Sequence, residues 1–198
     1  MSKAEQQTQK MRQHIACPIV LIGMMGAGKS ALGVRLADAL QLDFADADAE
    51  IEKAAQMSIA EIFESHGETA FRDGERRVIK RLLENGPHVL ALGGGAFVDP
   101  QTQALIKQQA LSIWLDVPLD ELVTRVKKKP GKRPLLIGQD VHAKLTELID
   151  ARAGDYEKAD LRVNVGGHTS HEVAIDRLLA ALSEHLSANA QTADALDK

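Results

Sequence analysis

Short apolar runs alternate along the chain with longer stretches in which apolar positions recur every three or four residues. "PIVLIG" (18–23), "LDFAD" (42–46), "HVLALG" (88–93), "LSIWLD" (111–116) and "LRVNV" (161–165) predict five strands, and the periodic stretches between them predict helices. That alternation implies an α/β domain with a buried parallel sheet and right-handed crossovers. "SIAE" (58–61) has the spacing of a capping box, and "NG" (85–86) is a helix stop. Two stretches break the pattern. Residues 48–84 hold about three helical pieces before the chain returns to a strand, which predicts a helical lobe overhanging one edge of the sheet. In "KKKPGKRPLLIGQD" (127–140), Pro130, Gly131 and Pro134 forbid a continuous helix, which predicts a mobile flap, open or disordered without ligand. The expected organisation is one domain over 15–187, with the lobe at about 48–85 and the lid at about 127–138, between polar tails at 1–14 and 188–198.

Composition narrows the classes. At 198 residues the chain is long enough for one domain with a real core. Its 24 Lys and Arg against 28 Asp and Glu leave a net charge of -4, without the basic field that nucleic acid requires. Cys17 is the single cysteine and cannot form an internal bridge; before an apolar strand it is expected to be a small buried hydrophobe. No apolar run approaches the roughly 20 residues of a membrane span. The expectation is a cytoplasmic protein without a membrane partner.

The most specific chemistry follows the first strand. Gly23, Gly28, Lys29 and Ser30 in "GMMGAGKS" match G-x-x-x-x-G-K-[ST] between a predicted strand and a predicted helix. Glycines let successive N–H groups turn onto phosphates, Gly26 makes room for them, and the helix N-terminus points its positive end at them. Lys29 adds charge at the outer phosphates, and Ser30 offers a hydroxyl to Mg2+. The cradle alone suits a kinase, an ATPase or a GTP switch equally.

The acceptor has to decide between these. Asp46 and Asp48 in "FADADAEIE" end the second strand, where ligands bind in open α/β folds. In extended chain they project to one side, so that one carboxylate could hold Mg2+ through water and the other orient an alcohol. A strand-end turn and a helix cap would also explain them. Arg72 and Glu75 in "GETAFRDGERR" read by themselves as a surface i,i+3 pair, and Arg152 as a surface arginine. "LGGGAF" (92–97) is either a tight turn or a place where a ligand approaches the backbone at Gly94. Asp116, ending "LSIWLD", is an alternative magnesium carboxylate, although Pro118 just after it favours a capping or turn role. The seven histidines show no metal-ligand spacing.

Taken in order, "GMMGAGKS", "FADADAEIE", "SIAEIFESHGETAFRDGE", "LGGGAF", "WLDVP", "RPLL" and "R...Y..AD" resemble the shikimate kinase family over roughly residues 17 to 185. The resemblance implies a nucleoside-monophosphate-kinase-like fold with helices on both sheet faces, and phosphorylation of the 3-hydroxyl of shikimate by ATP. It places Gly26, Ala27, Gly28, Lys29, Ser30 and Ala31 at ATP, with Arg133 closing over the nucleotide. By the same resemblance Asp48, Arg72, Gly94 and Arg152 bind shikimate, the two arginines facing its carboxylate, while Asp46 joins Ser30 at Mg2+ and Glu75 anchors Arg72. Lys29, Asp48 and Arg133 are then the catalytic set, and a monomer is expected. Three features depart from the family. Gly154 and Asp155 stand where it has proline and an apolar residue, which predicts a looser helix end behind Arg152; "KKKPGK" lacks the arginine that stacks on adenine; no arginine stands near Thr169 for a C-terminal nucleotide contact. The competing readings are a gluconate or nucleoside kinase and a GTP-binding module. Paired arginines count against a nucleoside. "EKAD" (157–160) misses the guanine-reading N-K-x-D at its first residue and precedes a strand instead of following one.

Overall fold

The structure, a computed structural model, describes residues 3–128, 136, 138–167 and 169–196. Five parallel strands form one sheet: β1 (Ile19–Ile22), β2 (Asp43–Asp46), β3 (His88–Ala91), β4 (Leu111–Asp116) and β5 (Leu161–Asn164), in the order β2-β3-β1-β4-β5. All five lie within the runs expected from the sequence. β1 is central and buried at every residue, which explains why its run is apolar without alternation. Ile19 stands opposite Val89 of β3 and Leu111 of β4. Strand order reverses on either side of β1, and ligands bind at the carboxyl ends of strands at such a switch point.

Helices follow the strands. α2 (Lys29–Leu40) buries Leu32, Gly33, Leu36, Ala37 and Leu40, one stripe of the 3.6-residue period. After β2 come α3 (Ala47–Ala55) and the long α4 (Ile59–Leu83), which has the expected capping box between Ser58 and Glu61. α4 is two helical pieces in one, because Gly67 breaks it with non-helical torsion angles. A single 3₁₀ turn (Ala96–Val98) and α5 (Pro100–Gln109) follow β3; α6 (Leu119–Lys127) follows β4. α7 (Val141–Tyr156) precedes β5, and α8 (His171–Leu196) ends the fold. None of the helices among the described residues is long and apolar enough to cross a membrane.

Several local expectations are corrected. The N-terminal stretch is helical from Lys3 to His14 (α1), packs on α2 and α8, and has Met11 buried, as is Ile15 just after it. Two apolar anchors at i and i+4 suffice to dock a helix that is polar elsewhere. α8 likewise continues into the polar C-terminal stretch, as far as Leu196. Cys17 is only half-buried, and burial raises its thiol pKa above the ordinary value. α7 does not loosen behind Arg152: it runs through Gly154 and Asp155 to Tyr156, and the Glu157 N–H still closes on Ala153 O. Of the expected flap, residues 129–135 and 137, Arg133 among them, lie outside the described residues.

Candidate active site

Three strand ends meet here. β1 runs into the loop Gly23–Gly28, where Gly28, at φ 97°, caps α2 in the left-handed conformation that only glycine adopts without strain. Lys29 Nζ folds back on its own loop, donating to Gly23 O at 2.8 Å and Met24 O at 3.1 Å. Ala27 is buried beneath the loop, and Ala31 is exposed in the first turn of α2.

Beside it, β2 ends at Asp46. Ser30 Oγ donates to Asp46 Oδ2 at 2.5 Å, and Asp46 Oδ1 accepts the Asp48 backbone N–H at 3.1 Å. Asp46 is therefore both the N-cap of α3 and the partner of the loop serine. The geometric reason given by the sequence is corrected. Asp48 lies in the first turn of α3, not in extended chain, and capping rather than strand alternation brings the two carboxylates together.

The third strand end, Gly93–Gly95, organises the rest through what it lacks. A methyl built on Gly93 would stand 2.6 Å from Asp48 Oδ1 and 3.3 Å from Glu75 Oε1. One built on Gly94 would stand 3.6 Å from Arg152 Nη1 and 3.4 Å from the Met25 backbone nitrogen of the first glycine loop. One on Gly95 would stand 3.0 Å from Arg72 Nη2. Three consecutive absent side chains thus admit a carboxylate and two guanidiniums to one strip of backbone. Asp48, Arg72, Gly94 and Arg152, drawn from four places in the sequence, meet here.

Electrostatics follow from burial. Glu75, nearly enclosed, accepts from Arg72 Nη1 at 2.7 Å, and Glu68 accepts from Arg72 Nη2 at 3.3 Å. Burial works against the Arg72 charge, but the Glu75 and Glu68 carboxylates more than offset it and hold it firmly protonated. Burial also pushes Glu75 above the ordinary carboxylate range, against the pull of Arg72. Asp48 is raised first by burial and then by Asp46, with Lys29 and Arg72 pulling the other way. Arg152 Nη1 donates to Gly94 O at 2.8 Å, and the Tyr156 hydroxyl donates to the same oxygen at 2.5 Å.

Two residues without an assigned role stand out. Tyr156, buried one helical turn beyond Arg152, reaches the second glycine loop and lies 3.7 Å from Met24 Sδ of the first. Its signal was the i,i+4 spacing from Arg152 within "R...Y". Arg125 on α6 donates from Nη1 to Ala27 O at 3.1 Å and from Nη2 to Glu121 Oε1 at 2.5 Å, lying against the outer side of the phosphate loop. It stands just before the lysine-rich flap, and Glu121 at i-4 was its only mark. The alternative carboxylate, Asp116, is engaged elsewhere, accepting from Arg162 Nε and Nη2 at 3.1 and 2.9 Å.

The family model of shikimate kinase matches residues 25–183. A shikimate kinase of Caulobacter vibrioides is 53% identical over 166 residues, 84% of this chain and 82% of that protein. The shikimate kinase of Zymomonas mobilis is 51% identical over 164 residues, covering 83% of this chain and 92% of the other. A structure of Acinetobacter baumannii shikimate kinase in complex with shikimate superposes with a TM-score of 0.79 at 33% identity, over 85% of this chain and 94% of that one.

Proposed function

The chain belongs to the shikimate kinase family, and from that premise we propose that it transfers the γ-phosphoryl group of ATP to the 3-hydroxyl of shikimate, giving shikimate 3-phosphate and ADP. This is a step towards chorismate and the aromatic amino acids. The observation that carries the reading is the convergence of Asp48, Arg72 and Arg152 on Gly93–Gly95, directly beside the phosphate loop. An acceptor with a carboxylate and a hydroxyl is what two guanidiniums and one carboxylate at such a strip can orient.

In the reaction the 3-oxygen forms its bond to phosphorus as the bond to the β–γ bridging oxygen breaks. The hydroxyl proton passes to Asp48, and ADP carries away the electron pair. The transition state is loose, so positioning outweighs base strength. Arg72 and Arg152 grip the carboxylate in fork geometry, Glu75 keeps Arg72 aimed, and Gly94 lets the acceptor approach the backbone. Gly26, Ala27, Gly28, Lys29, Ser30 and Ala31 cradle ATP, Lys29 exchanging loop carbonyls for the transferring phosphoryl. Arg133 closes over the phosphates from the lid. Mg2+ is the cofactor that suits the donors. The Ser30 hydroxyl and Asp46 carboxylate are hard oxygen ligands already in contact, and no group of three or more His, Cys, Asp or Glu gathers among the described residues. That set fits an ion that keeps water and phosphate oxygens for its other positions, and when bound it neutralises phosphate charge. A monomeric, cytoplasmic, single-domain enzyme with its lobe at 48–85 and lid at 127–138 completes the reading.

An ADP-release assay across shikimate, quinate, gluconate and nucleosides tests it. Shikimate should be preferred, and turnover of gluconate or a nucleoside above that of shikimate would overturn the assignment. Arg133→Ala should lower kcat at least about tenfold, the scale of one lost electrostatic contact; an unchanged kcat would remove Arg133 from the catalytic set.

A further inference from the structure

We infer that Gln103 is a positioning residue for the acceptor site: its side-chain amide ties the turn after the three glycines to the last turn of α7 and so holds Arg152 against Gly94. Gln103 Nε2 donates to Phe97 O at 2.7 Å and to Asp155 Oδ1 at 2.9 Å. A primary amide nitrogen has two hydrogens, and both are used. Both partners only accept, one a carbonyl and the other a carboxylate, so the orientation of the amide is fixed by chemistry. Gln103 Oε1 faces Lys158 Nζ at 3.4 Å, and that ammonium also lies 2.8 Å from Asp155 Oδ1. Lys158 foremost, against some burial, and then Gln103 keep the Asp155 carboxyl below its ordinary pKa, so the amide meets a charged acceptor.

The consequence follows from where these atoms sit. Phe97 belongs to the 3₁₀ turn directly after Gly93–Gly95, and Asp155 lies between Arg152 and Tyr156 on α7. Arg152 and Tyr156 both donate to Gly94 O. The same two segments are thus joined twice, once inside the site through Gly94 O and once behind it through Gln103. The inner joint holds the guanidinium through one N–H of Nη1 and leaves the other donors of Arg152 to the substrate, so a single bond sets its aim. The outer joint does not touch substrate and persists when Arg152 takes it up. Spacing along α7 fits: positions 152, 155 and 156 share one face.

This inference rests on the reading of Arg152 as a ligand of the acceptor carboxylate. Its test is a set of steady-state constants for Gln103→Met, Asp155→Leu, Arg152→Lys and the double variant Gln103→Met/Arg152→Lys. Methionine keeps the bulk of glutamine and removes both hydrogen bonds. Gln103→Met should raise the shikimate KM about threefold to tenfold, the scale of one or two hydrogen bonds, with kcat and the ATP KM within about twofold. Asp155→Leu should do the same from the other end. In the Arg152→Lys background Gln103→Met should add little, because its effect acts through Arg152. A raised KM in Arg152→Lys with an unchanged KM in Gln103→Met and Asp155→Leu would overturn the bridge alone. An unchanged KM in Arg152→Lys would overturn the premise and the inference with it. Full additivity in the double variant, or parallel loss of all constants with a lowered Tm, would make Gln103 merely structural and also overturn it.

Discussion

Two glycine-rich turns end neighbouring strands, Gly23–Gly28 after β1 and Gly93–Gly95 after β3, and their glycines meet different physical demands. In the first, all three glycines have positive φ, so the demand falls on the backbone: Gly28 starts α2 at φ 97°, a conformation that costs an L side chain about 1–2 kcal/mol, and at Gly23 a methyl would in addition stand 2.7 Å from Leu115 O. In the second, none of the three has a positive φ, and Gly95 sits at an ordinary -108°. There the demand is for space, since Asp48, Arg152 and Arg72 stand where side chains would project. The same residue type therefore serves the nucleotide by bending, at Gly28 by bending alone, and the acceptor by being small. Alanine should divide the two substrates accordingly.

The largest effect should come from removing the group that fills the space at Gly93. Asp48→Asn should lower kcat by about a hundredfold or more, the range of a lost proton acceptor, with the ATP dissociation constant within about twofold. Turnover close to that of the unchanged protein would take Asp48 out of the reaction. Filling the space should come next. Gly93→Ala places a methyl 2.6 Å from Asp48 Oδ1, so the carboxylate must move. A misplacement of about 1 Å, the scale of shift that relieves such a contact, costs about a hundredfold in kcat where positioning dominates. If ATP binding suffered as much as turnover, the two turns would not be separable.

Gly28→Ala reverses the pattern. Its nearest side-chain neighbours, Leu32 and Arg125, stand 3.8 Å or more from the added methyl, so crowding is absent and torsional strain remains. The ATP KM should rise about tenfold, matching the left-handed cost, while shikimate binding measured without nucleotide stays unchanged. A loss confined to shikimate would contradict the division.

The contrast also marks what the sequence discloses. The nucleotide cradle is contiguous, so one motif between a strand and a helix suffices to find it, and the strands show as apolar runs because a parallel sheet is buried on both faces. The acceptor strip is assembled from α3, α4, the turn after β3 and α7. Arg72 and Arg152 taken singly look like any surface arginine, and the motif series alone singled them out. Tyr156, Gln103, Asp155 and Arg125 were less legible still, because each acts through a contact distant in sequence: Tyr156 with Gly94, Gln103 with Asp155, Arg125 with Ala27. Periodicity reports which face is buried, not which carbonyl a buried hydroxyl reaches. Polar composition concealed α1 for a related reason, since Met11 and Ile15 carry its docking in an otherwise charged or amide-rich stretch.

The smallest effect should come from Gly95→Ala, and it tests whether space at the second turn is graded. The added methyl would stand 3.0 Å from Arg72 Nη2, an approach that a few tenths of an ångström would relieve. Nη2 ends a flexible side chain, unlike the carboxylate at Gly93, which sits on the first turn of a helix. Arg72 is nonetheless tethered, at Nη1 by buried Glu75 and at Nη2 by exposed Glu68. The guanidinium should therefore tilt about the Glu75 contact rather than leave it. Such a tilt misaligns one arm of a carboxylate fork, and the shikimate KM should rise about threefold, the scale of a weakened charged hydrogen bond, with kcat and the ATP KM unchanged in initial-rate assays. Glu68→Ala releases the arm that must move. Combined with Gly95→Ala it should return part of the lost affinity, because Nη2 can then swing clear while Glu75 keeps hold of Nη1. A double variant worse than either single one would mean that Glu68 aims Arg72 as much as Glu75 does, and a matching rise in the ATP KM would erase the distinction between the two turns.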